Sequence, residues 1–275
     1  MAEAHSLHVW EQAEIARSRS EASRTTVESL YVAEVQRRRY QNPPADTPFP
    51  LEYVFHVLGD VAGKIVLDLG CGKGGNSLLA VLRGARVVGI DVSEPALNLA
   101  NARFAVNGVT AAAVFVASSA HAVPLPDESV DVVLGVGILH HLDLVRVAKE
   151  VKRVLKPGGR AIFKEPVRES RVFNFVRGLI PYRGPDVSPF ERPLTGGELR
   201  EFARGMRARR FRAFGLPFVS VVTIVPFLQK WLPLAYRLDS AVLKRAPFLK
   251  RYASTRVIEL QKSAEVSASN LSGLR

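Results

Sequence analysis

The residues best placed to do chemistry lie in one short stretch, Val66-Leu67-Asp68-Leu69-Gly70-Cys71-Gly72-Lys73-Gly74-Gly75. A β-branched run from Lys64 to Leu69 passes directly into glycines. Glycine has no Cβ, so the main chain there can take unusual dihedrals and let a ligand come close. A glycine string of this kind is a weak signal alone. Its setting strengthens it: a strand pattern precedes it, a helix pattern follows over Asn76–Arg83, and Asp91 closes the next strand pattern, Ala85–Asp91. An acid roughly 20 residues beyond such a turn bonds ribose hydroxyls. Two chemistries fit: hydride transfer with a nicotinamide or flavin, and methyl transfer from S-adenosylmethionine (SAM). Asp68 discriminates between them, standing two residues before the first glycine at the end of the first strand. A pyrophosphate wants no anion nearby. A cofactor with a cationic amino group and no phosphate suits one.

Other reactive side chains are few. His140 and His141 follow the fourth strand pattern and are candidates for a general base, needed only where the attacking atom carries a proton of high pKa. Cys71, the single cysteine, sits inside the glycine turn and reads as a packing residue. No Cys/His grouping has metal-ligand spacing, so no metal is expected. Asn42-Pro43-Pro44 reads as a turn in a linker.

The elements that must position these residues alternate. Strands are expected at Lys64–Leu69, Ala85–Asp91, Ala112–Ala117, Val130–Gly135 and Arg160–Glu165. Helices are expected at Asn76–Arg83, from Ser93 to about Asn107, and at Leu142–Leu155, the last closed by Lys156-Pro157-Gly158-Gly159. This alternation predicts a mainly parallel sheet with helices on both faces. Upstream, Leu7–Tyr40 reads as helical, Asn42–Pro50 as a proline-rich linker and Leu51–Leu58 as a short helix. Downstream, Thr195–Met206 is a helix opened by Thr195 and Glu198, Phe211–Val219 a sixth strand and Arg256–Lys262 a last one. The tail from Ser263 is expected to be disordered.

Composition bounds the rest. The 275 residues are 47% hydrophobic and 23% charged, an ordinary globular balance. One cysteine allows no disulfide within the chain and fits a reducing, cytoplasmic setting. Residues 1–19 lack the continuous apolar core of a secretory signal. The formal net charge is +12, with Lys and Arg crowded between residues 146 and 212 and again between 230 and 256. Such a balance favours nucleic acid, anionic lipid or phosphorylated partners, or is simply a solvated surface. Phe214–Tyr236 carries only Lys230 as a charge and approaches the length of a membrane span, but Pro217, Pro226 and Pro233 interrupt it. It reads as a span, as cover for a pocket, or as a surface element dipping into a membrane. The adjoining Lys244-Arg245, Phe248-Leu249 and Lys250-Arg251 support the third reading.

Asp68, Gly70, Gly72 and Gly74 form an Asp-x-Gly-x-Gly-x-Gly pattern that resembles motif I of class I SAM-dependent methyltransferases. Gly89-Ile90-Asp91-Val92-Ser93 is similar to motif II. Pro124–Val133, Leu139-His140-His141-Leu142 and Leu155–Gly159 resemble the ubiquinone-biosynthesis-like, small-molecule branch. The resemblance spans Lys64 to Glu165. It implies a Rossmann-like three-layer α/β/α sandwich with a seven-stranded sheet, order 3-2-1-4-5-7-6, mostly parallel with an antiparallel last strand. It implies a SAM core over residues 61–165, an N-terminal helical lid over 1–60, and substrate-covering inserts over 166–262. Cofactor contacts are implied at Asp68, Gly70, Cys71, Gly72, Gly74, Asp91, Val92, Ser119, Ala120 and Val136. Ser119 stands where the family often has an Asp facing the adenine amino group. His141 or His140 would be the base, and Tyr31, Tyr40, Phe173 and Tyr182 would face substrate.

The implied reaction is in-line attack on the sulfonium methyl, with S-adenosylhomocysteine as the second product. The apolar, aromatic and basic inserts point to a hydrophobic small molecule: a lipid, quinone precursor or secondary metabolite. Three partners remain open at this stage: that small molecule, an anionic membrane contacted peripherally, and nucleic acid. Rival functions are an RNA or protein methyltransferase using the basic surface, and a SAM-binding regulatory protein without transfer activity.

Overall fold

A computed structural model describes residues 12, 15–20, 22–109, 112–168 and 193–264. Its centre is a seven-stranded sheet: β1 (Ile65–Leu69), β2 (Arg86–Asp91), β3 (Ala113–Ala117), β4 (Val130–Val136), β5 (Leu155–Pro166), β6 (Arg207–Phe214) and β7 (Thr255–Gln261). The spatial order is β3-β2-β1-β4-β5-β7-β6. β1 pairs in parallel with β2 on one side and β4 on the other. β7 runs antiparallel between β5 and β6. The sheet order and the antiparallel last strand agree with expectation. The chain leaves β1 in one direction through β2 and β3, then returns to β4 on the opposite side. Crossovers diverging in this way leave a crevice at the carboxyl ends of β1 and β4.

Helices cover both faces, which is why β1 and β4 are runs of Val, Ile and Leu rather than alternating sequences. Successive strand side chains point to opposite faces. Leu67, Leu69, Val133 and Phe163 therefore join one buried cluster, with Phe202 of α6 (Gly196–Phe202) and Val147 and Val151 of α5 (Leu144–Val154). Val66, Leu134 and Ile162 join the other, under Val54, Phe55 and Leu58 of α2 (Pro50–Leu58). Side chains buried this fully each stabilise the fold by about 1.5–3 kcal/mol.

The predicted helix starts hold. Ser93 caps α4 (Glu94–Val106) by accepting from the Ala96 N–H, and Asn107 and Gly108 end it. Thr195 and Glu198 form a reciprocal capping box on α6. α3 (Gly75–Val81) follows the glycine turn as expected.

Other boundaries differ from expectation. Leu7–Tyr40 is not one helix. Residues 15–20 are helical, a 3₁₀ turn spans Glu28–Leu30, and α1 (Glu34–Gln41) follows. The break has a cause: the Leu30 carbonyl accepts from Asn107 Nδ2 and Arg103 Nη1 (both 3.0 Å), while the Val32 N–H donates to Asn107 Oδ1. Tertiary hydrogen bonds thus replace helical ones. Lys156-Pro157-Gly158-Gly159 is not a helix cap but lies within β5, where the Gly158 N–H bonds the Lys262 carbonyl and the Lys262 N–H bonds that of Gly159. The sixth strand starts at Arg207, not Phe211, and Val219 lies in a helix. β6 is an edge strand, so its exposed arginines at 207, 209 and 210 are tolerated and discourage further pairing.

Between β6 and β7 the chain builds a helical cap: α7 (Pro217–Ile224), a 3₁₀ turn over Pro226–Trp231, α8 (Leu232–Arg245) and a second turn over Pro247–Tyr252. Pro217, Pro226, Pro233 and Pro247 each sit in a first turn, where the missing N–H costs nothing. The prolines start helices here instead of breaking one. Among the described residues no helix is long and apolar enough to cross a membrane, which removes the spanning reading. The tail from residue 265 lies outside the described residues.

Arg160 ties three elements together. Its guanidinium donates to the Val57 and Leu58 carbonyls at the end of α2 (3.0 and 2.9 Å) and to Glu259 Oε1 of β7 (3.0 Å). Glu259 is 2% exposed, with Arg210 a further 3.5 Å away. Arg160→Met would strand a buried carboxylate, a change that costs about 3–5 kcal/mol. Urea denaturation should show a loss near the lower end of that range, and a loss below about 1 kcal/mol would mean that Arg210 alone serves Glu259.

Candidate active site

A cavity of ≈ 230 Å³ opens at the carboxyl ends of β1, β2, β3 and β4. Gly70 and Gly72 line it from the turn after β1, Asp91 and Val92 from the end of β2, and Ser119 and Ala120 from the loop after β3. Gly137, Ile138 and His141 line it from the loop after β4. Arg17, Ser18 and Ala22 of the N-terminal segment form its roof.

Asp91 organises the floor. Its Oδ2 accepts from the Gly72 N–H and its Oδ1 from the Ser93 N–H, both at 2.9 Å. The Cys71 N–H reaches the Ile90 carbonyl at 2.9 Å, so the glycine turn is stitched to the end of β2 at two points. The turn itself needs glycine. Gly70 has φ +69°, and a Cβ there would overlap the Ile138 side chain on the cavity wall. Gly74 also has φ +69°, and its Cβ would sit 2.9 Å from that of Ala100 in α4.

Asp68 lies beneath this turn, 1% exposed, its Oδ2 accepting from the Ser77 hydroxyl at 2.5 Å. Burial pushes its carboxyl up to about 6, with the nearby Asp91 charge adding to the rise and the Ser77 hydrogen bond opposing it. A carboxylate held at this cost is one that a nearby cation would relieve. Cys71 is buried too. Burial, then the Asp68 and Asp91 charges, push its thiol well above the ordinary value, so it is no nucleophile at neutral pH.

The wall after β3 is held by a histidine that sequence reading did not single out. The Asp143 N–H donates to His121 Nε2 (2.9 Å), so Nδ1 carries the proton and donates to Ser119 Oγ (3.1 Å). Ser119 also accepts from the His121 N–H (3.2 Å). Asp143 in turn caps α5 through the Val145 and Arg146 N–H groups. One imidazole thereby joins the loop after β3 to the start of α5.

The loop after β4 carries His140 and His141 in a 3₁₀ turn, Leu139–His141, with both rings buried and their centroids 3.9 Å apart. Glu165, near the end of β5, holds this loop. Its Oε1 accepts from the Ile138 and Leu139 N–H groups (both 3.0 Å) and its Oε2 pairs with His140 Nδ1 (2.8 Å). Glu165 is 1% exposed and was read from sequence only as a strand residue. Its signal was an acid just beyond the apolar run Ala161-Ile162-Phe163, at the site-facing end of a parallel strand.

Seven of the residues expected at the site meet on the cavity wall: Gly70, Gly72, Asp91, Val92, Ser119, Ala120 and His141. Asp68, Cys71, Gly74, Val136 and His140 do not line it; they stand behind the lining or beside it. Tyr31 is 55% exposed beneath the Arg37 guanidinium, away from the cavity. Tyr40 packs on Phe55 and lines a separate cleft with Arg83, because α1 lies against α2 and α3 rather than over the cavity. Phe173 and Tyr182 lie outside the described residues. No group of three or more His, Cys, Asp or Glu side chains capable of holding a metal occurs among the described residues.

Comparison with known proteins finds similarity over part of the chain. Residues 67–163 match the family described as "Methyltransferase domain". A ubiquinone biosynthesis O-methyltransferase of Pseudomonas syringae pv. tomato is 34% identical over 146 residues, 50% of this chain and 62% of that protein. A 27-O-demethylrifamycin SV methyltransferase of Amycolatopsis mediterranei is 40% identical over 101 residues, 36% of this chain and 37% of that one. The chain thus spans less than two thirds of either relative. Among solved structures, geranyl diphosphate C-methyltransferase from Streptomyces coelicolor A3(2), in complex with Mg2+, geranyl diphosphate and S-adenosyl-L-homocysteine, superposes with TM-score 0.57 at 18% identity, covering 77% of this chain and 78% of that one. At that identity the likeness is one of fold.

The raised Asp68 carboxyl gives a pH signature. A folded-state value near 6, against 3.8 ordinarily, means that the folded protein binds this proton more tightly than the unfolded chain. Ligand-free stability should therefore fall, on this account, as pH rises from about 4 to about 6. Asp68→Asn removes the effect, so the melting-temperature advantage of the variant over the parent should grow across that window. A difference that stays flat would place Asp68 at an ordinary carboxylate value.

Proposed function

We propose that this chain, whose residues 67–163 match the family described as "Methyltransferase domain", is a class I SAM-dependent methyltransferase that transfers a methyl group to a hydrophobic small molecule bound at the cavity above β1 and β4. The observation that carries this reading is the meeting of Gly70, Gly72, Asp91, Ser119 and His141 around one cavity. The donor set fits the cofactor. Asp91 would take the ribose hydroxyls, and Val92 and Ala120 would flank the adenine. Ser119 would bond the adenine edge, and the Gly70–Gly72 main chain would lie against the amino-acid portion. A buried carboxylate beneath the glycine turn opposes a pyrophosphate and favours a cationic group. SAM supplies a methyl group that is already activated as an electrophile.

The protein's part is then alignment, exclusion of water and removal of a proton. His141 faces the cavity and would take the proton of an acceptor hydroxyl on its imidazole. His140 does not face the cavity; Glu165 orients it, and it packs on His141. Arg17, Ser18 and Ala22 would close the site as part of an N-terminal lid. A small-molecule acceptor is supported by the relatives, whose names refer to ubiquinone biosynthesis and to 27-O-demethylrifamycin SV. The aromatic and basic composition of residues 166–193 supports a hydrophobic acceptor, anionic in part.

Isothermal titration with S-adenosylhomocysteine and, separately, with NAD tests the cofactor assignment. Binding of the first alone is expected, and Asp91→Ala should weaken it by about tenfold or more, the equivalent of losing about 1.4 kcal/mol. NAD binding, or an Asp91→Ala protein of full affinity, would contradict the assignment. Once an acceptor is found by screening phenols and lipids for methyl transfer, His141→Ala should lower kcat by roughly 10²–10⁴-fold with little change in S-adenosylhomocysteine affinity. An unchanged kcat would reduce His141 to a packing residue.

A further inference from the structure

The helical cap between β6 and β7 exposes more apolar surface than its own packing explains. In α8, Ala235, Asp239 and Leu243 recur every four residues and face inward. Leu234, Leu238 and Val242 recur at the same spacing one position earlier and face solvent, at 43%, 52% and 37% exposure. The stripe continues into the preceding turn through Trp231 and Phe227, the latter 74% exposed. Phe218 and Val221 of α7, which packs against α8, are also exposed, as is Phe248 in the turn beyond. A soluble helix normally turns one stripe inward and fills the other with polar groups. Here the outward stripe is apolar.

The charges around it have one sign. Across residues 217–252 the cations are Lys230, Arg237, Lys244, Arg245, Lys250 and Arg251, and all six are exposed. The single acid of the segment, Asp239, is buried and accepts from the Val219 N–H. Outside the segment, Asp46 lies 3.5 Å from Lys244. Bulky apolar side chains rimmed by cations match the chemistry of an anionic bilayer surface: acyl chains accept the first and lipid phosphates the second. A second copy of this chain would instead bring six more cations against the same face, an unfavourable pairing.

We infer that this cap is a membrane-docking face that seats Trp231, Leu234 and Leu238 among the lipids of an anionic bilayer, with Lys230 and Arg237 at the phosphates. Lys and Arg stems are long enough to lie along the apolar face while their charges stay at the interface. The inference does not depend on the methyl-transfer reading, since none of these residues lines the cofactor cavity.

Vesicle co-sedimentation of the full chain tests it, using phosphatidylcholine alone and phosphatidylcholine mixed with phosphatidylglycerol. Binding to the mixed vesicles is expected, weaker on phosphatidylcholine by about tenfold or more and reduced by salt. In a Trp10→Phe background the emission of Trp231 should shift to the blue on binding. Phe227→Ser with Leu238→Ser should weaken binding by about tenfold or more with an unchanged melting temperature, because both side chains are already exposed. Lys230→Gln with Arg237→Gln should abolish most of the preference for phosphatidylglycerol. The inference fails if the mixed vesicles leave the protein in the supernatant, or if neither pair of substitutions alters binding. It fails equally if the apolar pair instead abolishes a concentration-dependent dimer seen by light scattering.

Discussion

Two main-chain N–H groups, of Gly72 and Ser93, share the carboxylate of Asp91, and the candidate site depends on that sharing. The turn after β1 and the turn after β2 belong to different crossovers. The Cys71 N–H on the Ile90 carbonyl joins them where the strands end, and the Asp91 side chain joins them beyond that point. Charge-assisted hydrogen bonds of this kind are about twice as strong as neutral ones and hold direction as well as distance. Gly70 can then bring its main chain against Ile138 on the opposite wall, where any side chain would collide.

Glu165 does the same work on the other side of the crevice. It gathers two N–H groups and one imidazole from the loop after β4, all within 3.0 Å. Leaving such donors unpaired in the interior would cost about 1–3 kcal/mol each, so the acid pins the loop as well as orienting His140. The site is thus framed by two carboxylates, Asp91 and Glu165, that each hold two backbone N–H groups. A third, Asp68, is buried at an electrostatic cost that a cationic ligand would offset.

The C-terminal cap follows a different logic. Its inward residues, Ala235, Asp239 and Leu243, fasten it beside β6, and its outward ones, Leu234, Leu238 and Val242, face solvent. Apolar side chains kept in water, among cations and with no exposed acid in the same segment, are more consistent with a surface that meets something than with one that only faces solvent.

Much of this was legible in the sequence because the signals were local. The glycine run, Asp91 at a strand end, the Ser93 and Thr195 caps and the alternation of Val-rich strands with amphipathic helices each depend on neighbours within a few residues. The family resemblance carried the strand order, which periodicity alone does not contain. What tertiary structure decided was everything set by partners far along the chain. Asn107 and Arg103 break the N-terminal helix at Leu30, more than 70 residues away. Pairing with β7 drew the glycines of Lys156–Gly159 into a strand, and edge position let an arginine-rich segment become β6. Glu165 and His121 gained their roles only when β5 and the loop after β3 met residues 22 to 27 positions distant. Local propensity is written into short windows of sequence. Long-range hydrogen bonds are not, because their worth depends on burial that only the assembled fold creates.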